Sequence, residues 1–409
     1  MATVVFIETN FSGLEAILYC KEQGYRTVLV SDSVERFRKW FPESTMHILD
    51  KVDQLISVPN SNDFDAVAEV LRSEVGKFDA LLTFAEIRTL VTARLAKYFG
   101  LPGANPEAIK LAQDKYQFRK ILLAKGVDNV QCQLIDSARD LLVIKNEIRY
   151  PCFLKPVQGH SSIGAVVCKT IDDVERISTE LSAINEDWIS SAFVVEDYLE
   201  GNLYSVEVLT TAPGQHHVVG ISDRDVVHDS VEVGASFPFL SPLSERIEQK
   251  ACAALDAINY TFGPSHVEII VQDCEPHLVE VNVRVGGSGH SFMLALATSR
   301  SIVGDCIELC LGRLNTDRKI YEHTQGAAWK CYVSEQIGFI KNLPSEDDIK
   351  SKFNVEHVWL HRQVGDEVST LNSNYNWIIQ VMCRGKDREE AKLNAGSIIH
   401  YVTQQTVIA

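Results

Sequence analysis

The chain has few basic residues for its size, and this shortage limits its partners. Its 409 residues include 39 Lys and Arg against 55 Asp and Glu, which gives a formal net charge of −16. The sequence contains no basic tract. Because nucleic-acid phosphates are bound by clustered positive charge, nucleic acid is excluded as the main partner.

Long apolar runs and a basic-then-apolar N-terminus are also missing. No stretch approaches the roughly 20 apolar residues that a membrane-spanning helix needs. The opening segment "MATVVFIETN" lacks the order of a signal peptide. We therefore predict a cytoplasmic protein without a membrane partner.

Paired cysteines are absent as well, since the ten cysteines include no CxxC pair and are scattered through apolar segments. They are expected to be reduced, buried thiols. Cys306 and Cys310 share one predicted helix face, where core packing is favoured over a metal site. The first predicted turn, "ETNFSGLEA", has no GxGxxG and gives little support to a dinucleotide site.

What is present is a globular composition, 45% hydrophobic and 23% charged, with length for two or three domains. Strands at 3–8 and 26–32 flank a helix at about 13–23, and this β-α-β order predicts a parallel sheet. The breaker cluster "GLPGANP" marks a junction, followed by one helix at about 107–125. The predicted domains are an N-terminal α/β domain at 1–105, a linker helix with a small α+β domain at 106–195, and a larger α+β domain at 196–409.

The stretch "PSHVEIIVQDCEPHLVEVNVRVGG" predicts a hairpin of two apolar strands, 266–271 and 278–285, joined by a turn. If the hairpin is centred on Cys274, Glu268 lies directly opposite Glu280. Two carboxylates about 4 Å apart repel by roughly 4 kcal/mol at an effective dielectric near 20. A cation between them would remove this repulsion.

Asn282 follows on the same strand face and would add an amide oxygen to the two carboxylates. Such an all-oxygen set suits Mg²⁺ or Mn²⁺. The alternative is a polar strand face turned to solvent. The facing pair, Glu268 and Glu280, favours the metal site, provided that the hairpin register does not slip by one residue.

A second cluster has the composition of a phosphate-binding loop. In "CFLKPVQGHSSIGAVV", Lys155 is followed by the loop 159–164, in which glycines bracket Ser161 and Ser162. Its N–H and hydroxyl donors suit phosphate oxygens, and Lys155 would supply a charge. A plain surface hairpin with a partly extended lysine explains the same residues equally well.

Together these motifs resemble the ATP-grasp ligases, in particular the carboxylate–amine ligases that include bacterial L-amino-acid ligases. The resemblance covers almost the whole chain and implies an ATP-grasp fold of class α/β: an N-terminal parallel α/β domain, a small α+β lid domain and a large C-terminal α+β domain. It also implies the following sites: phosphate contacts at Lys115 in "QDKYQFRK", Lys155, Ser161 and Ser162; an adenine hinge in "VVEDYLEG" with Glu196, Tyr198 and Leu199; and metal ligands Glu268, Glu280 and Asn282.

The tail "EVNVRVGG" also matches the family, with Arg284 as the catalytic cation and Gly286 and Gly287 close to the substrate. Glu232 matches a family position that binds the substrate amine. There are departures. Leu203 stands where an acid often contacts ribose. Val283 replaces a proline, and Ala235 replaces a histidine, which suggests a substrate different from that of the dipeptide-forming relatives.

The implied reaction uses ATP and one or two Mg²⁺ ions to convert a small carboxylic acid into an acyl phosphate, which an amino acid or amine then attacks. Arg284 would stabilise the acyl phosphate and the oxyanion. A role in natural-product synthesis, of the dapdiamide amide type, and a homodimer are further expectations from the family. Two alternatives stay open: a carboxylase-type enzyme that phosphorylates bicarbonate, and a nucleotide-binding regulator without turnover.

Overall fold

The computed structural model describes residues 1–32, 43–159, 161–186, 188–228, 230–316, 320–371 and 373–409. Within these segments the strands form sheets of four, eight, three and four strands.

The first sheet is parallel and belongs to the N-terminal part of the chain. Its elements are β1 (Thr3–Ile7), α1 (Phe11–Glu22), β2 (Arg26–Ser31), β3 (Gln54–Ser57), α2 (Phe64–Val70), β4 (Ala80–Leu82) and α3 (Thr89–Phe99). The strand order is β3-β2-β1-β4, and β1 pairs in parallel with both β2 and β4. Every residue of β1 is buried, because helices cover both faces of such a sheet. The predicted β-α-β order is confirmed.

Two helices follow, where the sequence predicted a single helix at 107–125: α4 (Pro106–Gln113) and α5 (Lys115–Ala124). The prediction was wrong because Asp114 ends one helix and caps the next. Its backbone is extended (φ −95°, ψ 96°), and its side chain accepts a hydrogen bond of 2.9 Å from a backbone N–H in the first turn of α5. The break places Lys115 at the start of α5.

The second sheet is the small antiparallel one. Its part of the chain contains β5 (Cys132–Ile135), α6 (Leu141–Ile144), β6 (Cys152–Pro156), β7 (Val166–Cys168), α7 (Val174–Ser182) and β8 (Phe193–Asp197). The order is β5-β8-β6-β7. Because β8 pairs with β5 and β6, this sheet continues past residue 195, the predicted domain limit. The three domain ranges stay predictions.

The largest sheet has eight strands, all antiparallel to their neighbours. The remaining elements are β9 (Asn202–Ala212), β10 (Gln215–Val227), β11 (Val231–Phe237), α8 (Ser244–Ala257), β12 (Gly263–Gln272), β13 (Glu275–Asn282), α9 (His290–Thr298), α10 (Ile302–Cys310), β14 (Gly326–Tyr332), β15 (Gly338–Asn342), α11 (Glu346–Lys352), β16 (His357–Leu360), β17 (Glu367–Val368), β18 (Ile379–Gly385), α12 (Arg388–Gln405) and β19 (Val407–Ile408). The order is β13-β12-β9-β10-β11-β14-β18-β16, and β17-β15-β19 form a separate small sheet.

The N-terminal sheet and the large sheet share one apolar core, since α1 packs against α10. Gly304 permits this approach, because a Cβ there would lie 2.4 Å from the ring of Tyr19. Cys306 and Cys310 lie in the same core, as predicted. All ten cysteines are free thiols. In the described part of the chain, no helix is long and apolar enough to cross a membrane.

Arg119 on α5 is only 1% exposed and contacts residues from three parts of the fold. Its guanidinium lies 3.1 Å from Oδ2 of Asp128 and 3.1 Å from Oε1 of Glu196 on β8. It also donates to the carbonyl of Leu278 on β13 (2.7 Å). Without the Arg119 guanidinium, the buried carboxylates of Asp128 and Glu196 would each lose an ion-pair partner.

We therefore expect Arg119→Met to lower the free energy of unfolding by about 3–5 kcal/mol, the usual cost of breaking a buried ion pair. The matched control is Arg176→Met, which removes exposed contacts to Asp173 and Glu180 and should cost about 0.5 kcal/mol or less. Urea unfolding followed by circular dichroism measures both. If Arg119→Met and Arg176→Met had the same urea midpoint, the proposed stabilisation by Arg119 would be wrong.

Candidate active site

One cavity of about 790 Å³ lies where the parts of the fold meet. This is within the range of pockets that hold small molecules and cofactors, about 300–1,000 Å³. All the site residues predicted from the sequence line it except Asn282 and Gly286. Residues from the N-terminal part (8–12 and 85–87) and from the C-terminal segment (361–380) complete its walls.

Glu268 and Glu280 face each other across β12 and β13, as predicted, but for a reason that the sequence reasoning missed. The turn is centred between Asp273 and Cys274, both at positive φ (51° and 64°), rather than on Cys274. A regular ladder from this turn would set Glu268 opposite Val279. A β-bulge takes Val279 out of the ladder, shifts the register by one residue and brings the carboxylates together.

Cationic neighbours keep Glu268 ionised. Its Oε1 lies 3.3 Å from Nε2 of His266 and 3.6 Å from Nη1 of Arg224. Burial raises the pKa of the Glu268 carboxyl, but the hydrogen bond from His266 and the charge of Arg224 outweigh burial and lower this pKa to about 2. The carboxylate is therefore charged at neutral pH.

Glu280 is held by two side chains. Lys115 Nζ lies 3.5 Å from its Oε2, and the Asn282 amide nitrogen donates to its Oε1 (2.8 Å). The two carboxylates and the nearby amide have the oxygen donors that Mg²⁺ or Mn²⁺ prefers. The residues present thus fit the ion implied by the resemblance.

Lys155 and Glu196 form a buried ion pair at the back of the cavity, with Nζ 2.9 Å from Oε2. Lys155 also donates to the carbonyl of the bulge residue Val279 (3.0 Å). Burial raises the pKa of the Glu196 carboxyl, but Lys155 and Arg119 outweigh it and hold this pKa below its usual value. The Glu196 carboxylate is thus ion-paired with Lys155 and Arg119. Its role in binding adenine stays a prediction.

The loop predicted to cover phosphate lies over the cavity. Ser161 and Ser162 both have left-handed backbones (φ 60°), and position 160 of the predicted loop lies outside the described residues. Ser162 Oγ donates to the carbonyl of Ser230 (2.8 Å), and Lys115 Nζ donates to the carbonyl of Gly159 (2.9 Å). Ser161 Oγ also donates to Tyr375 Oη (3.3 Å), so the loop contacts α5, the large sheet and the C-terminal segment.

The predicted adenine hinge also reaches the cavity, where Tyr198 and Leu199 form part of the wall. Gly201 allows the hinge to pass β12 closely, since a Cβ there would lie 2.1 Å from the carbonyl oxygen of Val271. Leu203 lines the cavity too. An apolar wall therefore stands where the family often places an acid.

Arg284 lies beyond the end of β13, because the strand ends at Asn282 rather than at the predicted residue 285. It still lines the cavity, where Nε and Nη2 both contact one oxygen of Glu86 (3.1 and 2.6 Å). Glu86 lies just after β4 in the N-terminal part, and the sequence reasoning missed it. The signal for it was a polar residue following a parallel strand, because ligands bind at the carboxyl edge of such sheets.

Glu232 on β11 pairs with Arg224 on β10, a cation that the sequence reasoning also missed. Trp377 Nε1 donates to the carbonyl of Glu232 (2.7 Å), which fixes this strand end against the C-terminal segment. Gly287 borders the cavity with nothing within 4 Å of where a Cβ would lie. Gly286 is packed against His266 and other buried polar side chains. The predicted substrate roles of Glu232, Gly286 and Gly287 stay predictions.

Residues 148–291 match the ATP-grasp domain family. In sequence, the chain is 25% identical over 248 residues to alanine–anticapsin ligase of Bacillus amyloliquefaciens (54% of this chain, 52% of that protein). It is 24% identical over 285 residues to the carbamoyl phosphate synthase large chain of Neisseria meningitidis (68% of this chain, 25% of that protein). The chain thus spans about half or less of the length of these curated relatives.

In structure, the chain resembles the L-amino acid ligase from Bacillus licheniformis with a TM-score of 0.83 and 19% identity, covering 100% of this chain and 98% of that one. The match extends over all parts of the molecule and confirms the predicted fold class. The chain therefore contains an ATP-grasp domain, and its overall fold is similar to that of this ligase.

We expect nucleotide to protect the loop over the cavity, because phosphate oxygens would accept hydrogen bonds from Ser161, Ser162 and Lys155. Amide hydrogen exchange of residues 155–166 should slow by about tenfold or more with ATP and Mg²⁺. Helix α12, none of whose residues lines the cavity, provides an internal control, and its exchange should stay constant. Unchanged exchange of 155–166 under saturating nucleotide would contradict the prediction.

Proposed function

We propose that this chain is an ATP-dependent ligase that activates a small carboxylic acid as an acyl phosphate and joins it to an amino acid or amine, releasing ADP and phosphate. The observation that carries the proposal is the placement of Glu268, Glu280 and Asn282 between two groups of cations. Lys115 lies 3.5 Å from Glu280 and Arg224 lies 3.6 Å from Glu268. Lys155 pairs with Glu196 at the cavity wall, and Arg284 is held by Glu86 of the N-terminal part. Phosphates and a carboxylate can be neutralised there side by side.

The nucleotide would lie along the hinge, with its phosphates under the loop 159–164. Lys115, Lys155 and the serine hydroxyls donate to the phosphate oxygens. Glu268, Glu280 and Asn282 would hold Mg²⁺, which neutralises phosphate charge when bound. Enclosure by the loop would exclude water, which otherwise hydrolyses an acyl phosphate.

Arg284 would bind the acyl phosphate through hydrogen bonds from its guanidinium. A guanidinium has five N–H donors, and the contacts to Glu86 and to the Val285 carbonyl use one each on Nε, Nη1 and Nη2. One N–H group on Nη1 and one on Nη2 are left, and they can donate to two oxygens of a phosphate or of an oxyanion. Glu86 acts as a positioning residue because it orients the guanidinium.

Glu232 supports the proposal for the second substrate, because a carboxylate beside the cavity can bind a protonated amine. The similarity to alanine–anticapsin ligase and to an L-amino acid ligase is consistent with a carboxylate–amine reaction. A role in dipeptide or antibiotic synthesis, expected from the family resemblance, belongs to this proposal. The family resemblance also leaves one alternative, a carboxylase-type enzyme in which bicarbonate is the acid that is phosphorylated.

Glu280→Gln tests the metal ligands. Loss of one anionic ligand should reduce ATP turnover by about 100-fold or more and raise the Mg²⁺ concentration needed for half activity. The matched control is Glu275→Gln, on the same strand but exposed, which should keep wild-type turnover. Release of ADP is measured across a Mg²⁺ titration. Turnover and Mg²⁺ dependence close to wild type in Glu280→Gln would show that Glu280 is no ligand.

Arg284→Lys tests the reaction itself. With hydroxylamine in place of the amine, the wild type should convert acid and ATP into a hydroxamate, with ADP and phosphate released together. Lysine keeps the charge but lacks the planar fork, so hydroxamate formation should slow by about 10²–10³-fold. The exposed Arg384→Lys is the control and should leave the rate unchanged.

Three results would count against this function. Absence of hydroxamate with every acid tested would favour a nucleotide-binding protein without turnover. ADP release driven by bicarbonate alone would favour the alternative acid. A wild-type rate in Arg284→Lys would remove Arg284 from the mechanism and leave the ligase reaction standing.

A further inference from the structure

Three potential metal ligands meet beside the cavity without a part in the proposed reaction. They are Glu207 on β9, His266 on β12 and His290 at the start of α9. One ligand atom from each lies within 4.8 Å of the others, and the three residues are 0%, 2% and 1% exposed. A buried group of two imidazoles and a carboxylate is unusual enough to require an explanation.

Two atoms of this cluster have no hydrogen-bond partner among the described residues: Oε2 of Glu207 and Nε2 of His290. Nδ1 of His290 lies 2.8 Å from the carbonyl oxygen of Gly287 and must donate its proton to it. Nε2 of a neutral ring then carries a free lone pair. Glu207 and His290 therefore each present an unused ligand atom.

The other contacts follow the pattern that surrounds metal-binding imidazoles, in which the second ring nitrogen is hydrogen-bonded to a carbonyl or a carboxylate. His290 has the Gly287 carbonyl, and His266 has Glu268 at 3.3 Å from Nε2, while its Nδ1 faces Glu207. Nε2 of His266 also lies 3.1 Å from Nη1 of Arg224. A metal on Nδ1 would displace the proton that Nδ1 shares with Glu207 and would leave the other ring proton on Nε2, towards Glu268.

The absence of a side chain at Gly286 leaves space beside the ligand atoms of the cluster. A Cβ at Gly286 would lie 2.8 Å from Nδ1 of His266 and 3.0 Å from Oε1 of Glu207. The missing side chain thus points between two ligand atoms. His266 and His290 also border the cavity, from which a water molecule can reach the cluster as a further ligand. Arg224 forms an ion pair with Glu232, and the carboxylates of Glu207 and Glu268 beside the cluster add negative charge that favours a dication.

We propose that Glu207, His266 and His290 form a second metal site, which binds a transition-metal dication of the Zn²⁺ type with water as the fourth ligand. Two imidazoles and one carboxylate suit Zn²⁺, whereas Mg²⁺ prefers oxygen ligands and would occupy the Glu268–Glu280 pair. Bound there, the metal fixes the start of α9 and the Gly286–Gly287 turn against the large sheet. That turn follows Arg284, so the metal also stabilises the position of this side chain. The site itself does not depend on the proposed reaction.

The test measures metal content without ATP or substrates. Full-length protein, stripped with dipicolinate and desalted, is titrated with Zn²⁺ and with Co²⁺, followed by elemental analysis and by visible absorption of the cobalt form. We expect one equivalent of Zn²⁺ per chain that survives desalting, and cobalt bands typical of tetrahedral coordination. Glu280→Gln should retain both signals, because it alters only the proposed Mg²⁺ site.

Glu207→Gln and His290→Gln should each weaken Zn²⁺ affinity by about 100-fold or more. His361→Gln, at a half-buried histidine of the cavity wall, is the control and should keep wild-type affinity. Circular dichroism of the metal-free variants verifies that they fold. Absence of stoichiometric Zn²⁺ in the wild type, or equal affinity in wild type, Glu207→Gln and His290→Gln, would overturn the proposal. Loss of ATP turnover with normal zinc content would bear only on the ligase function.

Discussion

The structure around the cavity depends on one electrostatic constraint, the approach of two carboxylates on adjacent strands. Glu268 and Glu280 are directly opposed in the ladder, and without nearby cations they would destabilise it. The fold supplies these cations from distant parts of the chain: Lys115 at the start of α5 and Arg224 on β10. The pairing of β12 with β13 therefore becomes stable only when α5 and the large sheet are assembled. The same assembly builds the cavity.

The remaining charges follow from the same need to compensate buried ions. Lys155 and Arg119 share the carboxylate of Glu196, and this pairing joins the small sheet to the linker helix and the large sheet. Arg284 is held by Glu86 from the N-terminal part. The Arg119–Glu196 and Arg284–Glu86 pairs cross boundaries between parts of the fold, whereas Lys155 and Glu196 lie on paired strands of the small sheet. The charge around the cavity therefore depends on how the small sheet and the N-terminal part are placed against the large sheet.

Much of this arrangement could be predicted from local pattern. Alternation along β12 and β13 indicated which side chains share a face, and the glycine-bracketed serines indicated a loop over the cavity. The predicted facing of Glu268 and Glu280 was right although the hairpin centre was misplaced, because the bulge at Val279 compensated for it. The single helix at 107–125 was wrong, because helical periodicity does not reveal that Asp114 acts as a cap.

By itself, the sequence determined the residue types, the strand faces and the order of motifs, because periods of 2 and 3.6 residues are local properties of the chain. Only the tertiary structure decided which distant side chains complete the site. Glu86 lies 198 positions from Arg284, and Glu207 lies 59 positions from His266. Pairing over such separations depends on how helices and sheets pack, and no local pattern records it. The cluster of Glu207, His266 and His290 is visible only once three separate elements fold together.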